Sequence, residues 1–280
     1  MADTRLEVNK TYKLYVGGKF PRSESGRSYA VSGPTGGFLA HAARASRKDL
    51  RDAVVAARKV AGSWAGLTAY NRGQVLYRVA EMMEARRDEL GAAVSAAEGP
   101  EGASQQVEAA VDRWVYYAGW TDKIAQVTGS LNPVAGPYFN LTAPEPIGVI
   151  GIVAPETGSL LGLVERLAPA LCGGNSAVVV CSKAHPLPAI ALAECLQTSD
   201  VPAGAVNLLT GFKEELVPVL ASHGDVDALD VSGVAPGAAA EVETAAASNV
   251  KRIVRPGPRP GPYEVTAFME MKTVWHPKGV

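Results

Sequence analysis

Apolar residues change their spacing three times along this chain, and each change marks a different architecture. Near the start "YKLYVGGKF" places strand-forming residues on either side of Gly17-Gly18, which predicts a tight hairpin, and "SYAVSGPTGG" then runs into a Gly/Pro turn. From Ser46 onward the spacing becomes helical. Ser46 and Asp49 form an S-x-x-D capping box, followed by Leu50, Val54, Ala57 and Ala61 on one face. Val75, Val79, Met82 and Met83 repeat that stripe, as do Val107, Val111, Trp114 and Ala118. Such Met and Trp stripes read as core packing.

The segment "TGSLNPVAGPYFNLTAPEP" ends the helical regime. Its strand formers around Asn-Pro and Gly-Pro predict an extended two-stranded excursion over 128–146, with one edge left to be paired. Behind it a strand-then-helix rhythm sets in: "IGVIGIV", "SAVVVC", "AVNLL", "VDALDVS" and "VKRIV", separated by helical stretches. Five short apolar strands alternating with helices predict an α/β fold with a doubly wound, five-stranded parallel sheet over 147–254. Ligands of such sheets bind outside the carboxyl ends of the strands. The run "RPGPRPGP" over 255–262 cannot be helix or central strand and reads as an extended connector. It leads to "AFMEMKTVWHP", where Met269, Met271, Thr273 and Trp275 alternate with Phe268, Glu270, Lys272, Val274 and His276. That two-residue period predicts a strand with two unequal faces, pairing with the edge of the 128–146 excursion. The chain thus divides into an N-terminal hairpin and helical part (1–127), the excursion (128–146), the doubly wound part (147–254), the connector (255–262) and a terminal oligomerisation strand (263–280).

Composition narrows the function classes. With 280 residues, 47% hydrophobic and 20% charged, the chain is long enough for a substantial core. A net charge of −1 gives no footprint for nucleic acid or an anionic membrane, so neither is expected as a partner. The opening "MADTRLEVNK" lacks the apolar stretch of a signal peptide, which makes a cytoplasmic location the expectation. Cys172, Cys181 and Cys195 show no CxxC or Cys/His ligand spacing and read as buried structural thiols; no metal site is expected. His185 and His223 read as surface loop residues.

Taken in order, "LYVGGKF", "RASRKDLRDAVVAARKVAGSWAGLTAYNRGQVLYRVAEMMEARRDEL", "YYAGWTDK", "PIGVIGIV", "LAPALCGGNSAVVV", "VPAGAVNLLTGF" and "VKRI" resemble the aldehyde dehydrogenase superfamily, and the final "FMEMKTVW" resembles its last strand, which joins the oligomerisation sheet. The resemblance implies a cofactor-type domain with an oligomerisation arm. It also implies that the family's second α/β domain, which carries the nucleophilic Cys, is missing between Arg255 and the terminal strand. The family's oxidation needs a thiolate, oxyanion donors, a carboxylate base and a nicotinamide. Here the oxyanion element is replaced by Pro155, Glu156 and Thr157, and the position of the base falls near Pro256, so no catalytic residue is expected. Glu156 reads as a solvated loop carboxylate.

The cofactor positions are degenerate as well. Val180 and Lys183 stand where the family holds the ribose hydroxyls with Lys and Glu. Gly211 keeps its turn, Lys213 replaces a Gly, and Ser232, Gly233 and Val234 replace a Gly-Ser pair, with Ser232 read as a helix cap. NAD or NADP is therefore expected to bind at most weakly. The resemblance implies a shortened, catalytically silent unit like those carried behind the catalytic unit of some members, partnered by a full-length aldehyde dehydrogenase or by itself. Two rival readings are an NAD(P)-dependent aldehyde oxidoreductase completed by a partner, and a homo-oligomeric dinucleotide-binding sensor.

Overall fold

A computed structural model of the chain describes residues 10–255, 257 and 260–279. In chain order it contains β1 (Thr11–Tyr12), β2 (Ser28–Ser32), β3 (Phe38–Ala43), α1 (Arg47–Ala65), α2 (Ala69–Ala85), α3 (Arg87–Glu98), α4 (Ala103–Trp120) and α5 (Ile124–Thr128). Then come β4 (Ser130–Asn132), β5 (Tyr138–Pro146), β6 (Val149–Val153), α6 (Leu161–Cys172), β7 (Ser176–Val180), α7 (Leu187–Gln197) and β8 (Val206–Leu209). The last are α8 (Lys213–Ser222), β9 (Ala228–Asp230), α9 (Ala239–Ala247), β10 (Arg252–Val254), α10 (Pro262–Thr266) and β11 (Met269–Pro277).

The central sheet runs in the order β10-β9-β6-β7-β8, every pair parallel. Its strands are largely apolar because both faces are covered, with Ser176, Asn207 and Asp230 as buried polar exceptions, and successive side chains alternate between two cores. Ile150 and Ile152 of β6 with Ala177 and Val179 of β7 pack toward α2, α3, α4, α6 and α7. Val149, Val153, Val178 and Val180 pack toward α1, α8 and α9. Gly151 interrupts the β6 row because a Cβ there would lie 3.0 Å from both Leu220 and Leu229. The chain winds outward from β6 through β7 to β8, then returns so that β9 lands on the other side of β6. The topological switch point, where ligands of such folds bind, therefore lies between the ends of β6 and β9.

The Ser46 hydroxyl accepts from Asp49 N while Asp49 Oδ2 accepts from Ser46 N, closing the capping box that starts α1. Leu50, Val54 and Ala57 are buried from that helix, and Val79 and Met83 from α2. The Gly17-Gly18 turn is closed by both Val16–Lys19 backbone bonds, with φ of +59° and +73° that suit glycine. Its flanks add one further cross-bond, from Leu14 N to Pro21 O at 3.1 Å, while Tyr15 bridges Leu208 at the edge of β8. Around it β1, β3 and β2 form a small sheet.

The third sheet has the order β11-β5-β4. All nine residues of β11 are in register with β5, from Met269 opposite Pro146 to Pro277 opposite Tyr138. The segment before β11 is tied into the body. Val265 and Phe268 are fully buried in the larger core, and Asn175 Nδ2 donates to Phe268 O at 2.9 Å. Glu264 joins a buried ion cluster in which Arg166 Nε meets Asp230 Oδ2 at 2.7 Å and Arg166 Nη1 meets Glu264. Among the described residues no helix is long and apolar enough to cross a membrane.

Candidate functional site at the switch point

Three loops leave the carboxyl ends of the central strands together: 154–157 after β6, 181–185 after β7, and 231–235 after β9. They line a cleft of about 700 Å³ whose outer walls are Val217 and Pro218 of α8 with Val242 and Ala245 of α9. At its inner end the β6 and β9 loops touch through their backbones. Gly233 N donates to Val153 O at 2.8 Å, and a Cβ at Gly233 would lie 2.0 Å from Ala154 O, which is why that position has no side chain.

Lys213, at the start of α8, reaches across this contact. Its ammonium donates to Ala154 O and to Gly233 O, the latter at 3.1 Å, and lies 2.5 Å from Glu156 Oε1. Glu156 is a loop carboxylate still 43% exposed, as the sequence suggests, but it is tied into the cleft by partners that the sequence did not reveal. Its other oxygen accepts from Ser182 Oγ at 2.7 Å, Lys183 N at 3.1 Å and Ala184 N at 3.2 Å. Burial alone would raise this carboxyl, but the bonds from Lys213 and Ser182 outweigh it and hold the group below the usual carboxylate range.

The neighbouring helix end is answered in the same way. The amides of Gly158 and Ser159 donate to Glu98 at 3.0 and 2.7 Å, and those of Leu160 and Leu161 donate to Gln106 Oε1 at 2.9 and 3.2 Å. These two side chains, from α3 and its neighbour α4, thus take up the donors at the entry to α6.

The remaining positions singled out in the sequence are placed as follows. Pro155 and Thr157 line the cleft beside Glu156. Val180 is wholly buried in the smaller core and offers the cleft no donor. The Lys183 ammonium is bound to Glu214 at 2.8 Å and lies 4.4 Å from the Phe212 ring centre. Gly211 has φ of +148°, which only glycine adopts readily. Ser232 does not cap a helix. Its N–H donates to Asp230 and its hydroxyl to Val153 O, while a 3₁₀ turn at Pro236–Ala238 separates it from α9. Pro256 lies outside the described residues.

His185 and His223 are half-buried rather than plain surface residues, and burial pushes the His223 imidazole down. Cys172, Cys181 and Cys195 are buried, and burial pushes their thiols up to about 12, 12 and 11. A thiol so placed is a poor nucleophile. Sequence reasoning missed the part played by Lys213, Glu98 and Gln106. The available signal was that a Glu and a Lys of opposite sign both depart from the resembled pattern around one crevice.

A nicotinamide dinucleotide needs backbone and side-chain donors for its diphosphate and polar groups for its ribose. The residues present do not fit that need, because the Lys213 ammonium is engaged by two carbonyls and Glu156, a carboxylate stands in the cleft, and Val180 is apolar.

Comparison with known proteins agrees with the fold. Residues 20–255 match the aldehyde dehydrogenase family. The putative aldehyde dehydrogenase DhaS of Bacillus subtilis is 34% identical over 257 residues, covering 89% of this chain and 51% of that protein. Retinal dehydrogenase 2 of Gallus gallus is 33% identical, over 89% of this chain and 48% of its own length. Among solved structures, the NAD+ complex of the Bacillus cereus aldehyde dehydrogenase superposes with a TM-score of 0.83 at 26% identity, covering 88% of this chain and 50% of that one. HpcC from Thermus thermophilus gives 0.83 at 29% identity, over 88% and 48%. The chain spans about half the length of these relatives. By sequence and by fold it belongs to the aldehyde dehydrogenase family.

Proposed function

We propose that this chain is a non-catalytic aldehyde-dehydrogenase-like subunit that assembles with a full-length aldehyde dehydrogenase and supports or regulates it. The observation that carries the reading is the face of the β11-β5-β4 sheet. Leu131, Leu141 and Val274 stand opposite one another across its three strands, each exposed, at 65%, 48% and 59%. Phe139 extends the row and is exposed too. A cross-strand apolar row open to water, on a sheet whose β11 edge pairs with no further strand among the described residues, is the kind of surface that a partner covers.

The chemistry supports the same reading. Pro155, Glu156 and Thr157 supply no nucleophile, the three thiols are sealed, and the eight-residue connector 255–262 leaves no length for a catalytic domain before β11. The Lys213–Glu156 pair at the switch point speaks against the two rivals, an oxidoreductase completed in trans and a free dinucleotide sensor. The cytoplasm is the proposed compartment.

The test is co-expression with a full-length aldehyde dehydrogenase from the same genome, followed by size-exclusion chromatography with light scattering. A mixed oligomer is expected, together with no aldehyde oxidation by this chain alone with NAD or NADP. A chain that stays monomeric beside the enzyme, or that assembles only with itself, would overturn the hetero-oligomeric reading. Turnover by the isolated chain that is lost when Cys172, Cys181 or Cys195 is replaced would overturn the non-catalytic one.

A further inference from the structure

We infer that Lys213 and Glu156 form an internal ionic latch across the switch point, and that this latch, more than the altered ribose positions Val180 and Lys183, keeps dinucleotides out of the cleft. An isolated lysine beside such a crevice would ordinarily attract phosphate, so the number of free donors decides. An ammonium has three N–H groups and no acceptor. Those of Lys213 face three acceptors: Ala154 O after β6, Gly233 O after β9, and Glu156 Oε1. None is left over for a ligand. Both carbonyls belong to the backbone contact that closes the inner end of the cleft, so the ammonium clamps the two loops that a bound diphosphate would have to lie between.

Glu156 adds a second barrier. It brings a negative charge into the same crevice and is fixed there by Ser182 and by the amides of Lys183 and Ala184. The cleft is lined by three carboxylates, Glu156, Glu214 and Glu241, against two ammonium groups, Lys183 and Lys213, which leaves a net charge of −1 where a diphosphate would bring more negative charge. Breaking the pair on one side is insufficient. Removing Lys213 alone exposes the Glu156 charge, whereas removing both groups frees the carbonyls and opens the crevice.

Occupancy of the cleft is read by ligand titration and association by light scattering, so failure of one leaves the other intact. The experiment is calorimetric titration of the full-length chain with NAD+ and with ADP, for the wild type, for Glu156→Ala/Lys213→Gly, and for Val180→Lys/Lys183→Glu. Circular dichroism confirms that each variant is folded.

Wild type is expected to show no saturation up to about 1 mM, on the scale of weak complexes that lack charge-assisted bonds. The double latch variant should bind at least about tenfold more tightly, and the ribose-position variant should gain less. Thermal unfolding supplies an independent readout of the pair itself. The loss in melting temperature from Lys213→Gly should be smaller in a Glu156→Ala background than in wild type, since the partner is already gone. Micromolar binding by wild type would overturn the inference. So would a folded latch variant with unchanged affinity, a larger gain from the ribose positions, or strictly additive thermal effects.

Discussion

The crevice between β6 and β9 and the outer face of the β11-β5-β4 sheet are the two places where a protein of this fold would meet another molecule, and they are finished in opposite ways. In the crevice most charged groups have partners within the chain: Lys213 bonds two carbonyls and a carboxylate, Glu98 and Gln106 cover the start of α6, and Lys183 meets Glu214. On the sheet, by contrast, one face mixes a polar ladder of Asn132, Asn140, Thr142 and Thr273 with exposed Met271 and Trp275, while the other leaves the Leu131, Leu141 and Val274 row bare. A surface that satisfies itself has no use for a ligand, whereas an apolar one in water gains by being covered. The contrast favours the sheet over the cleft as the place where this chain meets a partner.

Removing the sheet's outer strand is the strongest way to break that contrast. Truncation after Glu270 should abolish association, measured by light scattering, while circular dichroism and the unfolding midpoint of the body change little. The cut has to fall there. Truncation after Pro262, the boundary that the connector suggests, would also remove Val265 and Phe268 from the core and Glu264 from the ion cluster, and so would not spare the body.

That distinction yields the next effect. Phe268→Ala should cost about 3–5 kcal/mol, as large aromatic-to-alanine changes in a core do. Glu264→Ala should cost less, about 1–3 kcal/mol, because it leaves one Arg166 N–H without its acceptor while Asp230 still neutralises the guanidinium. Urea unfolding followed by fluorescence or circular dichroism measures both. A value below about 1 kcal/mol for either would mean that the terminal segment is not anchored as described.

A smaller change sharpens the role of the bare row. Val274→Lys and Leu141→Lys should leave stability within about 0.5 kcal/mol, since both side chains are exposed in the single chain, and should weaken association clearly. If the exposed row were incidental, these variants would assemble as wild type does.

Acid dependence should be the mildest effect. Glu156 and Glu98 both have carboxyls held below the ordinary range in the folded chain: burial works against their charge, but hydrogen bonds from Lys213 and Ser182, and from Ser159 and Gly158, prevail. The unfolded chain therefore binds protons first as pH falls, so their contribution is complete above about pH 4.3 and declines as pH drops through the lower folded values. Melting temperature scanned from pH 7 downward should fall in that acid window, and the fall should be shallower in Glu156→Gln.

Strands buried on both faces were readable because burial demands uninterrupted apolar runs such as "IGVIGIV" and "SAVVVC". The terminal ribbon was readable for the complementary reason, its strict alternation. The candidate site was not. Glu156 and Lys213 lie far apart in sequence and meet only because the chain reverses its winding at β6, so local pattern identified each as a departure but gave no hint that they answer each other. Ser232 misled through a local rule: a hydroxyl shortly before a helical stretch resembles a cap, but the turn at Pro236–Ala238 carries the chain away before α9 begins. The Arg166, Asp230 and Glu264 cluster went unnoticed for want of any motif that joins α6, β9 and α10.

The anchoring of both sides of the connector has a consequence in polymer terms. Val254 is held by the β10–β9 pairing, and Phe268 is held by the core and by Asn175, each independently of what links them. Two independently fixed ends tolerate any insert whose own termini can span the gap between them, the condition under which domain insertion succeeds. The stretch 255–262 is thus a graft point. A folded domain whose termini lie close together and the short bridge present here meet that condition alike. Losing the catalytic half at that position would leave the remaining architecture with nothing to repair.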